Sequence, residues 1–196
     1  MKKILIATHN KGKLEEYRSF LTPIGFEVVS LEDEKIKAEA PEEGGYYLEI
    51  ARSKALFYSK FSKLPIITDD SGLEIKALGG FPGISSDRWM EGSAEDKNKM
   101  ILHKMRATND RRAKFKAVTV FFHKNNYTYF EGEVNGEISL KPSGVGGFGY
   151  DSIFYISEKK RTMAELTLSE KNKISHRAKA LQKLVSYLKK RYIEAA

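Results

Sequence analysis

The 196-residue chain contains no cysteine, one tryptophan (Trp89), four histidines and five prolines. Without cysteine there are no disulfides, no thiolate metal sites and no thiol nucleophile. The few histidines form no H-E-x-x-H pair, so a metal here is expected to be a hard cation on carboxylate oxygens. No stretch approaches the roughly 18 apolar residues needed to span a bilayer. The apolar run after "MKK" is too short for a signal-peptide core and no small-residue cleavage pattern follows, which predicts a cytoplasmic protein. Acid is scarce relative to base: 26 Asp and Glu against 34 Lys and Arg leave a net charge of +8. That balance suggests a polyanionic partner, nucleotide or nucleic acid alike, with a solvated lysine-rich surface as the plainer alternative.

With 41% hydrophobic residues, the chain is rich enough to bury the core of a single domain spanning 1–196. Residues 3–7 read as a buried strand, and "KGKLEEYRSFL" as a helix with Leu14, Tyr17, Phe20 and Leu21 on one face. Pro23 and Gly25 close that helix and "FEVVSL" returns as a strand, a β-α-β opening that points to an α/β class. Leu48, Ala51, Ala55 and Tyr58 mark a second helix, and "LPIITDDSGLEI" reads as strand, acidic turn, strand. Ser93 and Asp96 have the spacing of a capping box ahead of a third helix. "AKFKAVTVFFHKNNYTYFEGEV" then alternates like a hairpin turning at "KNN", and residues 114–140 are expected to form a hairpin-rich lobe. A long helix from about Ser175 carries Ala178, Leu181, Val185, Leu188 and Tyr192 in one stripe.

Five stretches are candidates for chemistry, each with a purely structural alternative such as a capped turn, a helix-dipole complement or solvated surface. "ATHNKGK" joins a strand to a helix but lacks the first glycine and the Ser/Thr of a P-loop. Thr8 and Asn10 supply side-chain donors, Gly12 permits close backbone approach, and Lys13 stands at a helix N-terminus, where an anion is favoured; a capped polar turn is the alternative. Asp69 and Asp70 in "TDDSG" are expected at the carboxyl end of a strand, where α/β sheets place ligands. On extended backbone their side chains point opposite ways, so one faces a site. Glu42 precedes the second helix and Lys54 lies within it. "GGFGYD" combines permissive glycines with the rings of Phe148 and Tyr150 and the acceptor Asp151, a cradle for a planar heterocycle or a loop whose aromatics fill the core. Lys171, His176 and Arg177 cluster near the last helix, and the latter two oppose its dipole, a broken local rule that can mark a functional site.

In order along the chain, "ATHNKGK", Glu42 with Glu49, Ala51 and Lys54, "DDSGLEI", "LGGFPGISSDRW", "GGFGYD" and "ELTLSEKNKISHRAKAL" resemble the Ham1/RdgB family of inosine and xanthosine triphosphate pyrophosphatases. The resemblance implies an elongated α/β fold with a mixed sheet flanked by helices, two lobes, a central substrate cleft and a homodimer. It implies Mg2+-dependent hydrolysis of a purine nucleoside triphosphate to monophosphate and pyrophosphate, which clears deaminated purines from the nucleotide pool, with no nucleic-acid partner and no membrane. By position, Thr8, His9, Asn10, Lys11, Gly12 and Lys13 match the phosphate loop, Lys54 a basic residue facing the phosphates, and Asp70 the catalytic aspartate and metal ligand beside Ser71. Glu42 matches a magnesium-binding acid, Arg88 a substrate-site arginine, and Phe148, Gly149, Tyr150, Asp151, Lys171, His176 and Arg177 the nucleoside-binding positions. His9, Tyr46 and Ile50 depart from the residues usual in the family. For base selection, Asp151 is expected to accept from the N1–H of a 6-oxopurine, which adenine lacks. Two other readings fit parts of the chain: a pyrophosphatase for modified pyrimidine nucleotides, as in the related Maf proteins, and a basic nucleic-acid-binding module.

Overall fold

The structure, a computed structural model, describes residues 2–193. Its strands are β1 (Lys2–Ile6), β2 (Phe26–Ser30), β3 (Ile66–Ile75), β4 (Arg112–His123), β5 (Asn126–Ile138), β6 (Phe154–Ile156) and β7 (Arg161–Thr162). Its α-helices are α1 (Lys11–Leu21), α2 (Tyr47–Tyr58), α3 (Ala94–Lys104), α4 (Leu168–Ile174) and α5 (His176–Leu188). The strands form a mixed sheet in the order β2-β1-β3-β4-β5-β6-β7, with β1 parallel to β2 and β3, and β6 antiparallel to β5 and β7. This is the α/β class that the β-α-β opening predicts.

The chain divides into two compact units. The first comprises residues 1–70, 117–132 and 177–196, the second 71–116 and 133–176. The hairpin strands β4 and β5 are shared: the tip belongs to the first unit and the base to the second. The tip turns at Lys124 and Asn125, both in the left-handed region (φ 50° and 61°), as a two-residue hairpin loop requires.

In the first unit, β1 is buried on both faces, which explains its continuous apolar run. Ile4 and Ile6 pack with Tyr17 and Leu21 of α1 and with Leu181, Leu184 and Leu188 of α5. Leu5 and Ala7, on the opposite face, pack with Ala51, Ala55 and Tyr58 of α2. Two helix layers therefore sandwich the parallel strands and hold the β1–α1 and β3 segments in fixed register. In the second unit, Leu73, Ile75, Phe115, Phe154 and Ile156 of the sheet pack with Ile101 and Met105 of the α3 segment.

One local expectation is overturned. The segment "TDDSG" is not a turn: β3 runs unbroken through it for ten residues, so Asp69 and Asp70 sit mid-strand and not at a carboxyl end. The glycine that reads as a turn signal has another reason. A Cβ on Gly72 would stand 2.1 Å from the Gly83 carbonyl oxygen and 2.7 Å from Ser86 Oγ. The strap at residues 83–86 presses onto the strand at that point, and Ser86 Oγ accepts the Leu73 N–H while donating to Gly83 O. Glycine is required by close approach rather than by backbone reversal.

Candidate active site

In the first unit, strand alternation splits the two aspartates. Asp69 Oδ2 receives Arg177 Nε at 3.1 Å and pairs with Lys13 Nζ at 3.2 Å. Arg177, itself almost fully buried, also donates from Nη1 to Glu16 Oε2 at 2.6 Å. The arginine at the start of α5 thus answers two buried carboxylates, which offsets its unfavourable position in the helix dipole. Asp70 faces a different set. Its Oδ1 lies 3.2 Å from Lys54 Nζ, and the same ammonium is hydrogen-bonded to Glu42 Oε1. Asp70 Oδ2 is buried with no hydrogen-bond partner.

Adjacent in sequence, the two carboxyls are driven apart in acidity. Burial acts to raise the Asp69 pKa, but Lys13, Arg177 and Lys54 outweigh it and hold the carboxyl well below the ordinary carboxylate range. For Asp70, burial is the largest influence. Lys54 and Lys13 oppose it, Glu42 and Asp69 reinforce it, and the carboxyl is pushed up to about 6. Burial works against the charge on Lys54 as well, yet Asp70 and Glu42 more than restore it, so its pKa is raised and it stays an ammonium. Neighbouring groups whose environments push their pKa values apart have the form of an acid–base pair with divided tasks.

The phosphate-loop positions lie on the turn from β1 into α1. Asn10 is the N-cap: its Oδ1 accepts the Lys13 N–H at 3.0 Å, and its own N–H donates to Thr8 Oγ1. Lys13 is drawn towards Asp69, whereas Lys11 is exposed and Gly12 half-buried. The exposed His9 ring has Nε2 3.4 Å from the Ala38 carbonyl. At the head of α2, Tyr46 provides no side-chain cap, and Glu49 takes the Gly45 N–H instead.

The second unit gathers another group. Asp151 Oδ2 accepts the Phe148 N–H at 2.9 Å and Lys171 Nζ at 2.7 Å, and that ammonium lies 4.5 Å from the centre of the Phe148 ring. Gly147 is left-handed (φ 71°), and a Cβ there would fall 2.1 Å from Asp151 Oδ2, so the carboxylate closes the glycine loop onto itself. Tyr150 is a core residue: its hydroxyl donates to Ser86 O and receives Trp89 Nε1, both at 2.6 Å. His176 is buried and stacks on Phe115 with ring centres 4.7 Å apart. Arg88 is exposed and Ser71 half-buried.

Sequence reasoning did not single out Glu16, Ser86, Trp89 or Asn98. Glu16 and Asn98 did leave a signal, since each is a polar residue on the buried face of an amphipathic helix, a position that asks for a partner. The oxygen donors Asp70 and Glu42 fit a hard divalent cation, and the unpartnered Asp70 Oδ2 is the atom best placed to ligate one. No group of three or more metal-ligating side chains occurs among the described residues.

The model of the family described as "Ham1 family" matches residues 4–187. The chain is similar to the dITP/XTP pyrophosphatase of Thermus thermophilus, with 42% identity over 192 residues, covering 95% of this chain and 92% of that protein. Its fold is similar to a HAM1 protein from Coxiella burnetii, with TM-score 0.88 and 33% identity over 97% of this chain and 100% of that one. It is also similar to the Staphylococcus aureus Ham1 protein, with TM-score 0.85 and 35% identity over 96% and 99% of the two chains. With family match, relatives and architecture in agreement, this chain belongs to the Ham1 family.

Proposed function

We propose that this protein hydrolyses the non-standard purine nucleoside triphosphates ITP, dITP and XTP to their monophosphates and pyrophosphate, and so keeps deaminated purines out of DNA and RNA. The relatives named dITP/XTP pyrophosphatase support the reaction and the substrate class. The observation that carries the assignment to residues is the division between Asp69 and Asp70. One carboxyl is neutralised by Lys13 and Arg177 and serves the scaffold; the other is held near neutrality with an oxygen to spare. A carboxyl with a pKa of about 6 is matched to general-base work at physiological pH.

In this reading Asp70 orients the attacking water and takes its proton. Lys54, already paired with Asp70 and Glu42, holds the two carboxylates together and offers positive charge to the phosphates. Lys13 and the first turn of α1 bind the triphosphate, with Thr8 and Asn10 fixing the loop. Mg2+ would be held by Asp70 and Glu42, and when bound it supplies charge neutralisation to the phosphate oxygens. Phe148 presents a face to the base. Lys171 and the amides of the glycine loop offer donors to O6 of hypoxanthine or xanthine, a position where adenine carries an amino group that cannot accept. A polar site left unpaired by the wrong base rejects it strongly. The Asp151 oxygen engaged with Phe148 and Lys171 sets the loop's shape, so Asp151 contributes to base choice chiefly by holding those donors. The reading includes the cytoplasmic location expected from the sequence and the homodimer that the family resemblance implies. Among the described residues no helix is long and apolar enough to cross a membrane.

The test is a substrate panel of dITP, ITP, XTP, GTP, dATP and a modified pyrimidine triphosphate, with and without Mg2+, and products resolved by anion exchange. Monophosphate and pyrophosphate, formed from the inosine and xanthosine substrates well ahead of dATP and GTP and only with metal, is the expected result. Diphosphate and orthophosphate, or a preference for the pyrimidine, would contradict it.

A further inference from the structure

We propose that Asn98 is a positioning residue for base selection: from α3 it grips both ends of the segment Gly149–Ser152 and so fixes the loop that carries Phe148 and Asp151. Its Nδ2 donates to Gly149 O and to Ser152 Oγ, each at 3.0 Å, and these two acceptors bracket Tyr150 and Asp151.

The choice of residue is the first argument. Asn98 is 3% exposed and stands one helical turn before Ile101, on the face of α3 that packs into the core. The pattern of that face calls for an aliphatic side chain. Asparagine there carries a cost, because Oδ1 is buried with no hydrogen-bond partner. A buried polar side chain satisfied on one side only is a poor stability device, and what it secures in return is the position of the groups its donor holds.

The second argument is what the grip acts on. Gly149 is left-handed (φ 61°) with open space where a Cβ would stand, so packing of a side chain does nothing to hold that peptide. The loop is anchored elsewhere at discrete points. Gly146 N–H donates to Ala164 O and Ala164 N–H to Asp151 O, Tyr150 is fixed by Ser86 and Trp89, and Asp151 by Phe148 and Lys171. Among these anchors Asn98 is the one whose donor reaches the Gly149 carbonyl directly. Losing it frees the Gly149–Tyr150 peptide, one residue beyond Phe148, tilting the ring and the adjacent amides while Asp70, Lys54 and Glu42 keep their own contacts. The consequence is weaker and less selective binding of the base with chemistry largely preserved, because misplaced binding groups cost affinity and discrimination.

The inference rests on the nucleotide-selective reading proposed above. Its test uses the full chain with Asn98→Leu, which removes the donor and fills the space, and Asn98→Asp, which keeps the shape but sets an acceptor against Gly149 O. The measurements are kcat and KM for dITP and dATP, thermal melting, and calorimetric binding of IMP. Expected is a rise of about tenfold in KM for dITP and in the IMP Kd, an equal fall in the dITP-over-dATP preference, and kcat within about threefold of the parent. If Asn98→Leu does not fold, Asn98→Asp carries the same readouts. A variant that melts lower but keeps the parent's KM, IMP affinity and preference overturns the proposal and leaves the assigned function standing. A parent enzyme with no preference for dITP over dATP overturns both.

Discussion

Lys54 Nζ stands 3.2 Å from Asp70 Oδ1 and is hydrogen-bonded to Glu42 Oε1, so one ammonium ties together the two carboxylates proposed to hold a metal. Asp70 is consequently held at a pKa of about 6, balanced between burial and this cation. Replacing Lys54 with Met removes the tie and leaves two acids facing one another. Turnover of dITP is expected to fall by at least about a hundredfold, as when a charge-stabilising group is lost from a site, with a shift to lower Mg2+ requirement because the two acids lose the cation that competes with the metal. A Mg2+ titration of initial rates checks this, and a Lys54→Met enzyme with parental rates would remove Lys54 from the phosphate site.

In the proposed reading, the buried group Glu16–Arg177–Asp69 answers for stability rather than chemistry, with Lys13 linking it to the phosphate loop. Arg177→Met takes a buried cation from both Glu16 and Asp69 and leaves Asp69 with Lys13, and breaking a buried pair on one side costs about 3–5 kcal/mol. Urea denaturation is expected to show that loss. The paired change Arg177→Met with Glu16→Met is expected to recover part of it, since the uncompensated charge goes with its partner. If the single variant unfolds at the parent's midpoint, the network is not structural.

Asp70 also predicts an unusual pH dependence of stability in metal-free buffer. An acid whose folded pKa is above its unfolded value keeps its proton to higher pH in the fold, so between about 4 and 6 the folded chain binds more protons than the unfolded one. Stability from this group is present below pH 4 and lost as pH rises through 6, a change on the order of 3 kcal/mol. Asp70→Asn removes that loss. Its melting temperature in EDTA is expected to exceed the parent's at pH 8 and to match it near pH 4, and added Mg2+ is expected to stabilise the parent alone. Asp69 has the opposite sign: its pKa is depressed, so its contribution is full above the unfolded value near 4 and is lost as pH falls further.

Much of the fold is legible in the sequence because periodicity and caps are local properties. The stripe Leu14, Tyr17, Phe20, Leu21 packs as read, the Ser93–Asp96 box caps α3, and the hairpin turns within "KNN". What is illegible depends on partners far along the chain. Glu16 and Arg177 are 161 residues apart, and nothing near either one names the other. Gly72 looks like a turn residue because the Gly83 carbonyl that excludes its side chain lies outside any local window. The seven-residue helix α4 hides for the reverse reason: its capping box at Thr167 and Glu170 is present, but the helix is too short to show a stripe. At the site, the alternation rule told the two aspartates apart, while their acidities follow from burial set against Lys13, Arg177 and Lys54, which arrive from three other elements.

The most direct measurement is single-turnover hydrolysis of dITP by Asp70→Asn and by Asp69→Asn, each shown to be folded by circular dichroism. Division of labour between the two carboxyls predicts a loss of at least about a hundredfold in rate for Asp70→Asn with melting intact, and for Asp69→Asn a lowered melting temperature with the smaller rate effect. Near-parental turnover by a folded Asp70→Asn enzyme would contradict it.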